Sequence, residues 1–321
     1  MKISKTVLIV VVLFVQAVSV KAQSPNSQHY RYSNAFKNSV FYIKCLSDSI
    51  VKSKNDSIKL WSNSILRDTL PGLLRIENTF EDPFDSLLNI SIILSPDKKL
   101  RIYSWFVATE GNTKYQYECA MQYKDDGDKI FKVSSLRDST YEDELMLKKT
   151  CKKHNWYGAL YYRIIKTRKN GNNLYTLIGW KGYDAKTTKK VLEIVKFTKG
   201  EPTFGTPVFQ NIKKIQNRMI FTYSSSVSMK LNYNEKKKLI IFDHLSAPDG
   251  RLDAPGEMIG PDMTYDALHW EDEKWMYEKD VDARNLPAPT DNTSSGGEKR
   301  TKKLYVPVDD TEQTPASEEK K

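Results

Sequence analysis

The sequence predicts an α+β protein that is mostly antiparallel β, with a short helical N-terminal cap on a large β domain. Two patterns carry this prediction. Apolar side chains recur at helical spacing in residues 34–66, whereas from about residue 84 short apolar runs alternate with turn residues. A sandwich or a bent sheet fits these runs best. A small propeller is the second choice, because the blocks of about four strands show no strict repeat.

Four parts are predicted along the chain: a signal peptide (1–22), a helical segment (23–83), an antiparallel β domain (84–285) and a disordered tail (286–321). Lys2 and Lys5 precede an apolar run over residues 6–15, and Val20-Lys21-Ala22 provides a peptidase site. Crossing a bilayer takes about 20 apolar residues. A cleaved signal is therefore favoured over an uncleaved anchor, and we expect an exported protein, periplasmic or extracellular, that is soluble after cleavage.

Two helices are predicted in the N-terminal segment. Ser33 or Asn34 can cap the first helix. Its apolar face consists of Phe36, Val40, Ile43 and Ile50. The second helix is predicted over residues 57–66, ending before Pro71-Gly72. Its apolar side consists of Ile58, Trp61 and Ile65.

The β domain is predicted to contain about twelve strands. The first four form a meander over 88–94, 100–107, 115–123 and 130–136, and four more runs follow at 159–166, 174–180, 191–197 and 203–209. Residues 219–233 alternate between apolar and polar side chains, which predicts one strand with a bulge or bend near 224–226, since strands rarely exceed about 10 residues. A hairpin partner follows at 239–245. The last element, 265–281, turns at Glu271-Asp272-Glu273.

Composition restricts the class of partner. The formal net charge is +10, but no Lys/Arg-dense helix or RNA-binding signature accompanies it. An acidic polysaccharide or a membrane surface is therefore favoured over nucleic acid, and diffuse basic character without a partner is favoured over both. Cys45, Cys119 and Cys151 allow at most one internal disulfide and match no zinc spacing. No second apolar run of membrane length follows the signal, so no transmembrane segment is predicted in the mature chain.

Several phrases resemble a family of uncharacterised exported proteins of Bacteroidetes bacteria. They are SPDKKLRIYSW (95–105), WYGALYY (156–162), YTLIGW (175–180), Phe204-Gly205, IFDHL (241–245) and Gly260-Pro261-Asp262. The resemblance spans about residues 36–285. It implies a periplasmic or surface address in such a bacterium, and it transfers no catalytic residues because no activity is established for the family.

The densest polar cluster lies in residues 243–266. Asp243 and His244 end an apolar run, and Asp249, Asp253, Asp262 and Asp266 follow in a segment rich in Gly and Pro. A structural role in turns is the favoured interpretation. Two alternatives stay open: a Ca²⁺ site formed by Asp243, Asp262 and Asp266, and acid–base chemistry at His244. No resident cofactor is otherwise predicted, since Gly-x-Ser-x-Gly, His-Glu-x-x-His and Walker signatures are missing.

The second cluster is aromatic. Its candidate binding residues are Trp156, Tyr157, Trp180 and Trp270. Exposed aromatic side chains on a rigid sheet can stack on sugar rings or anchor a partner protein, but core packing explains most of them equally well. Gly158 follows Trp156-Tyr157 and is expected to allow close backbone approach at a strand entry.

These observations favour a non-enzymatic binding or assembly role in the cell envelope, with an envelope protein or glycan as partner. The alternative is a metal-assisted hydrolase acting on envelope polysaccharide or peptide through the 243–266 region.

Overall fold

The computed structural model describes residues 33–124, 128, 130–139, 143–211, 214–251 and 253–282. The predicted signal peptide (1–22) and disordered tail (286–321) lie outside these residues. The helices are α1 (Asn34–Lys52), α2 (Asp56–Leu74), α3 (Asp143–Lys148) and a 3-10 turn (Gly256–Met258). The strands are β1 (Ser91–Leu94), β2 (Leu100–Thr109), β3 (Lys114–Tyr123), β4 (Lys132–Arg137), β5 (Cys151–Lys152), β6 (Leu160–Lys169), β7 (Asn172–Gly182), β8 (Thr187–Thr198), β9 (Glu201–Phe204), β10 (Phe209–Gln210), β11 (Ile215–Gln216), β12 (Arg218–Ser224), β13 (Leu231–Asn234), β14 (Leu239–Ser246), β15 (Gly260–Glu271) and β16 (Lys274–Glu278).

Helix α1 begins as predicted, with the Ser33 hydroxyl accepting a hydrogen bond from the Phe36 amide at 3.2 Å. Helix α2 differs from the prediction in its end and its face. It continues through Pro71 to Leu74, because a proline in the last turn forfeits only one backbone hydrogen bond before the helix would end anyway. Its buried side consists of Ser62, Asn63, Leu66, Leu70, Pro71, Leu73 and Leu74, whereas Ile58 and Trp61 are exposed.

The strands form three sheets. The meander sheet has the order β1-β2-β3-β4, which confirms the predicted meander. The central sheet has the order β5-β9-β8-β7-β6, and β12 also pairs with β8. The outer sheet has the order β11-β10-β16-β15-β14-β13. Neighbouring strands are antiparallel except for β10 and β16, so the predicted mostly antiparallel α+β class is confirmed.

The predicted strand over 219–233 is two strands in different sheets. β12 pairs with β8 of the central sheet, and β13 pairs with β14 of the outer sheet. The break falls at the serine cluster, where Ser224 Oγ and Ser226 Oγ lie 2.8 Å apart in a turn. The alternation of side chains persists on both sides of this break, which is why the sequence pattern does not show the change of sheet.

Successive side chains of a strand point to opposite faces of its sheet and so belong to different hydrophobic cores. Along β2, Leu100 and Ile102 pack between the meander and central sheets, whereas Tyr103, Trp105 and Val107 pack under α1 and α2. The central sheet is buried on both faces. Its residues Leu177 and Val191 face the meander sheet, and Ile178 and Leu192 face the outer sheet. The order of layers is therefore helices, meander sheet, central sheet and outer sheet, which is a stacked arrangement of the predicted sandwich type.

The cysteines and the helices bear on two further predictions. Cys45 is exposed, Cys119 and Cys151 are buried, and none of the three forms a disulfide.

Within the part of the chain that the structure describes, no helix combines the length and the apolar character that crossing a bilayer requires.

Lys181 is a buried lysine between the meander and central sheets. Its ammonium donates to the carbonyl oxygens of Tyr157 at 2.7 Å and Gly158 at 2.9 Å, and it lies 4.6 Å from the ring centre of Tyr117. Burial lowers the pKa of Lys181 to about 8, and the attraction of Asp138 opposes this shift. Burying the charged form of Lys181 therefore lowers the free energy of unfolding at neutral pH.

This cost predicts a pH dependence of stability. An unfolded lysine keeps its proton to about pH 10.4, so above pH 8 the unfolded state binds more protons and the free energy of unfolding rises with pH. Between pH 8 and 9.5 we expect Lys181 to contribute an increase of about 1.5 kcal/mol. Urea denaturation of the protein and of Lys181→Met across this range measures it. Equal pH slopes in the two proteins would contradict the prediction.

Candidate functional site

His244 and Asp266 form a hydrogen-bonded pair on the outer sheet. His244 Nδ1 lies 2.7 Å from Asp266 Oδ2, and the Tyr277 hydroxyl donates to the same oxygen at 2.6 Å. The Asp280 amide donates to Asp266 Oδ1 at 3.2 Å. Because these residues belong to β14, β15, β16 and the segment after it, the carboxylate of Asp266 ties this end of the sheet together.

A register shift places the His244 ring beside Asp262. The pairing of β14 with β15 is irregular between Asp243 and Leu245, and His244 Nε2 lies 3.9 Å from Asp262 Oδ2. Hydrogen bonds from Thr264 lower the pKa of Asp262 despite partial burial, and the nearby His244 adds to this shift. The His244–Asp266 pair thus has the geometry of a partly exposed imidazole that a carboxylate orients. Such an imidazole could accept or donate a proton.

Asp243 takes no part in this cluster. Its carboxylate accepts a hydrogen bond from the Lys230 amide at 2.7 Å and so fixes the start of the β13–β14 hairpin. Of the four candidate site residues in this region, the structure thus brings together His244, Asp262 and Asp266 and places Asp243 elsewhere. Across the described segments, no group of three or more His, Cys, Asp or Glu side chains is arranged to hold a metal ion.

We expect Ca²⁺ and Zn²⁺ to leave the melting temperature unchanged. Protein donors already occupy the carboxylates, since Asp262 Oδ1 accepts from the Thr264 amide at 3.0 Å and hydroxyl at 2.7 Å, and Asp266 accepts three hydrogen bonds. Thermal unfolding with chelator and with each metal measures this. A rise with metal that Asp262→Ala abolishes would restore the Ca²⁺ alternative, because a ligand at a hundredfold excess over Kd stabilises by about 2.7 kcal/mol.

The predicted aromatic residues lie at different depths. Trp156 and Tyr157 are fully buried between the meander and central sheets, where the Trp156 indole donates to the Tyr161 hydroxyl at 2.7 Å. Their position agrees with the core-packing interpretation. Trp270 is half-buried against Trp275, with ring centres 5.3 Å apart. Trp180 is half-buried and packs against Phe106, with ring centres 5.4 Å apart.

A cleft of about 400 Å³ opens where the α1–α2 hairpin meets the meander sheet. We call it the cap cleft. Its lining consists of the helix connection (50–54, 56 and 59), the segment before β1 (88–89), strand β2 with its turn (106, 108, 111 and 112) and Leu160 of β6. Its volume falls within the range of about 300–1,000 Å³ that is typical of ligand sites.

An aromatic group stands behind one wall of the cap cleft. The half-buried ring of Phe106 lies 5.4 Å from Trp180 and 5.8 Å from Tyr115, measured between ring centres. Trp180 is also directly opposite Leu160 in the pairing of β6 with β7. Phe106 and Leu160 line the cleft, but Leu160 is only 2% exposed, so the apolar surface here comes from the half-buried ring of Phe106, which Trp180 and Tyr115 hold in place.

The lining also carries charge. Among the described residues it includes Lys52, Lys54 and Lys59 and one carboxylate, Asp56. A hydrogen bond from the Glu110 amide and the ammonium of Lys59, 3.2 Å away, lower the pKa of Asp56. The cleft therefore combines an apolar wall with a rim of net positive charge.

Sequence reasoning did not predict the cap cleft, and of the predicted binding residues only Trp180 lies near it, packed against Phe106. The residues of the cleft come from four stretches separated by up to about a hundred positions, and none of them forms a motif. The sequence predicts Leu88 as the first residue of a strand over 88–94, whereas β1 begins at Ser91 and Leu88 is 55% exposed at the cleft. Periodicity reads such a residue as core.

Comparison with known proteins found no matching family model, no similar curated protein and no similar solved structure.

Proposed function

We propose that the protein is an exported binding protein of the cell envelope, without an enzymatic role, and that it holds its ligand in the cap cleft. The observation that carries this proposal is the cleft itself, whose lining combines apolar surface at Phe106 and Leu88 with several lysines. Such a combination of apolar surface and a few convergent polar groups is typical of ligand sites. The predicted signal peptide and the family resemblance support the envelope address.

The location of the His244 pair favours binding over hydrolysis. The lining of the cap cleft includes neither His244 nor Asp262 nor Asp266. An enzyme needs its proton-transferring groups within hydrogen-bond reach of a bound substrate, at about 2.6–3.2 Å or through one water. A ligand in the cap cleft would contact none of these side chains.

Leu88→Ala tests the proposal. Leu88 is exposed at the cleft, so its truncation removes apolar contact with a ligand without opening the core. We expect binding of an envelope glycan fraction to the immobilised protein to weaken about tenfold, since burying a leucine is worth roughly 1.5–3 kcal/mol.

Leu94→Ala is the matched control. Leu94 ends β1, is 45% exposed and lies outside the cleft, so its truncation should leave binding unchanged. Equal binding by Leu88→Ala and the unaltered protein would remove the cap cleft as the binding site.

A further inference from the structure

The charges of the cap cleft point to one class of ligand, and this inference rests on the proposed binding function. Three lysines and one aspartate line the cleft. Lys59 donates to the Ala108 carbonyl at 2.9 Å and lies 3.2 Å from Asp56 Oδ1. Asp56 and Lys59 thus neutralise one another and support the β2–β3 turn.

Lys52 and Lys54 then determine the net charge of the cleft rim. Lys52 lies 3.1 Å from Asp48, a carboxylate outside the lining that also pairs with Lys44 at 2.8 Å. Lys54 stands in the α1–α2 connection, is exposed, and makes no ion pair or side-chain hydrogen bond with the residues that the structure describes. Its ammonium is therefore available to a ligand. Helix α2 starts at Asp56, so the positive end of its dipole lies on the same side.

The remaining polar groups suit hydroxyl-rich ligands. Asn89 donates its amide N–H to Asp48 Oδ1 at 2.7 Å, which orients the side chain and leaves its carbonyl oxygen as an acceptor. Asn112 and Ser53 add short polar side chains from two other segments of the rim. The same cleft presents apolar surface at the half-buried Phe106 and the exposed Leu88, against which the C–H face of a sugar ring can pack.

We propose that the cap cleft binds an acidic saccharide, with a ring against Phe106 and Leu88 and a carboxylate on the ammonium of Lys54. A neutral saccharide would leave the rim charge uncompensated. An acidic peptide would satisfy Lys54 but offers no ring of hydroxyls to Asn89 and Asn112. An acidic saccharide matches both the apolar surface and the positive charge of the cleft.

Titration calorimetry with a galacturonic acid trisaccharide and with the uncharged galactose trisaccharide tests this. We expect the acidic sugar to bind at least about tenfold more tightly, because a hydrogen bond to a charged group contributes about 1.5–3 kcal/mol. Lys54→Glu should abolish this preference. Lys37→Glu reverses the charge of an exposed lysine on α1 outside the cleft and should preserve it.

The other outcomes separate this inference from the proposed function. Equal affinity for the two sugars would overturn the acidic class, yet a loss of both in Leu88→Ala would keep the cleft as the binding site. Binding of a polyglutamate peptide but of neither sugar, with the same dependence on Lys54, would replace the saccharide with an acidic peptide. Absence of binding to all three probes would overturn the inference, and the glycan-fraction assay with Leu88→Ala would then decide the proposed function independently.

Discussion

Arg218→Met should lower the free energy of unfolding by about 3–5 kcal/mol. The Arg218 guanidinium lies 2.7 Å from Glu193, and both side chains are completely buried. It also donates to the carbonyl oxygens of Met146 at 2.6 Å and Lys149 at 2.9 Å, so it fastens α3 to the central sheet. Its removal leaves the Glu193 carboxylate buried without its cation, which costs more than the net value of the pair.

Urea denaturation measures this loss against a matched exposed pair. Lys153 and Glu201 lie 2.9 Å apart, a similar distance, but their side chains are 35% and 56% exposed, so Lys153→Met should cost less than about 1 kcal/mol. Adding Glu193→Gln to Arg218→Met removes the stranded charge and keeps an acceptor for the Tyr161 hydroxyl. The double variant should therefore recover part of the loss. Similar losses in Arg218→Met and Lys153→Met would contradict the prediction.

If Arg218→Met does not fold, Arg218→Lys provides the same test. Lysine keeps the charge beside Glu193 but cannot reproduce the fork of donors that reaches Glu193, Met146 and Lys149 together. A smaller but measurable loss is expected, and the difference from Lys153→Met remains the criterion.

This buried pair illustrates what the sequence could and could not predict. Apolar spacing and turn residues predicted α1, the meander, the runs of the central sheet and a last element that turns at 271–273, because these signals are local in the sequence. Glu193 interrupts an apolar run on β8, and Arg218 begins β12 directly opposite it. Their burial depends on contacts with distant segments, since Glu193 accepts from the Tyr161 hydroxyl and Arg218 donates to the Met146 and Lys149 carbonyls.

The helical hairpin and the candidate sites also show the difference between local sequence signals and contacts between distant segments. Trp61 was assigned to the buried side of α2, but packing of α2 on both α1 and the meander sheet selects Leu66 and Leu70 instead. The His244–Asp262–Asp266 cluster lies on neighbouring stretches of sequence, so its convergence was within reach of prediction. The cap cleft unites four distant stretches and was not.

Gly158→Ala should cost about 2–5 kcal/mol, because two penalties coincide at this position. Gly158 has φ of +75°, where a side chain costs about 1–2 kcal/mol. A Cβ atom there would also lie 2.4 Å from Asp138 Oδ1, and overpacking of this kind costs about 1–3 kcal/mol. The sequence predicted close backbone approach after Trp156-Tyr157, and the Asp138 carboxylate is what approaches.

Gly171→Ala isolates the first penalty. Gly171 has nearly the same φ, +76°, but a Cβ atom there would meet nothing within 4 Å, so only the backbone cost of about 1–2 kcal/mol is expected. The difference between the two variants in urea denaturation therefore measures how firmly Asp138 is held. Its carboxylate accepts from the Tyr117 amide at 3.4 Å and lies 3.8 Å from the Lys181 ammonium. Equal losses at Gly158 and Gly171 would mean that the Asp138 side chain swings aside freely and that these contacts do not hold it.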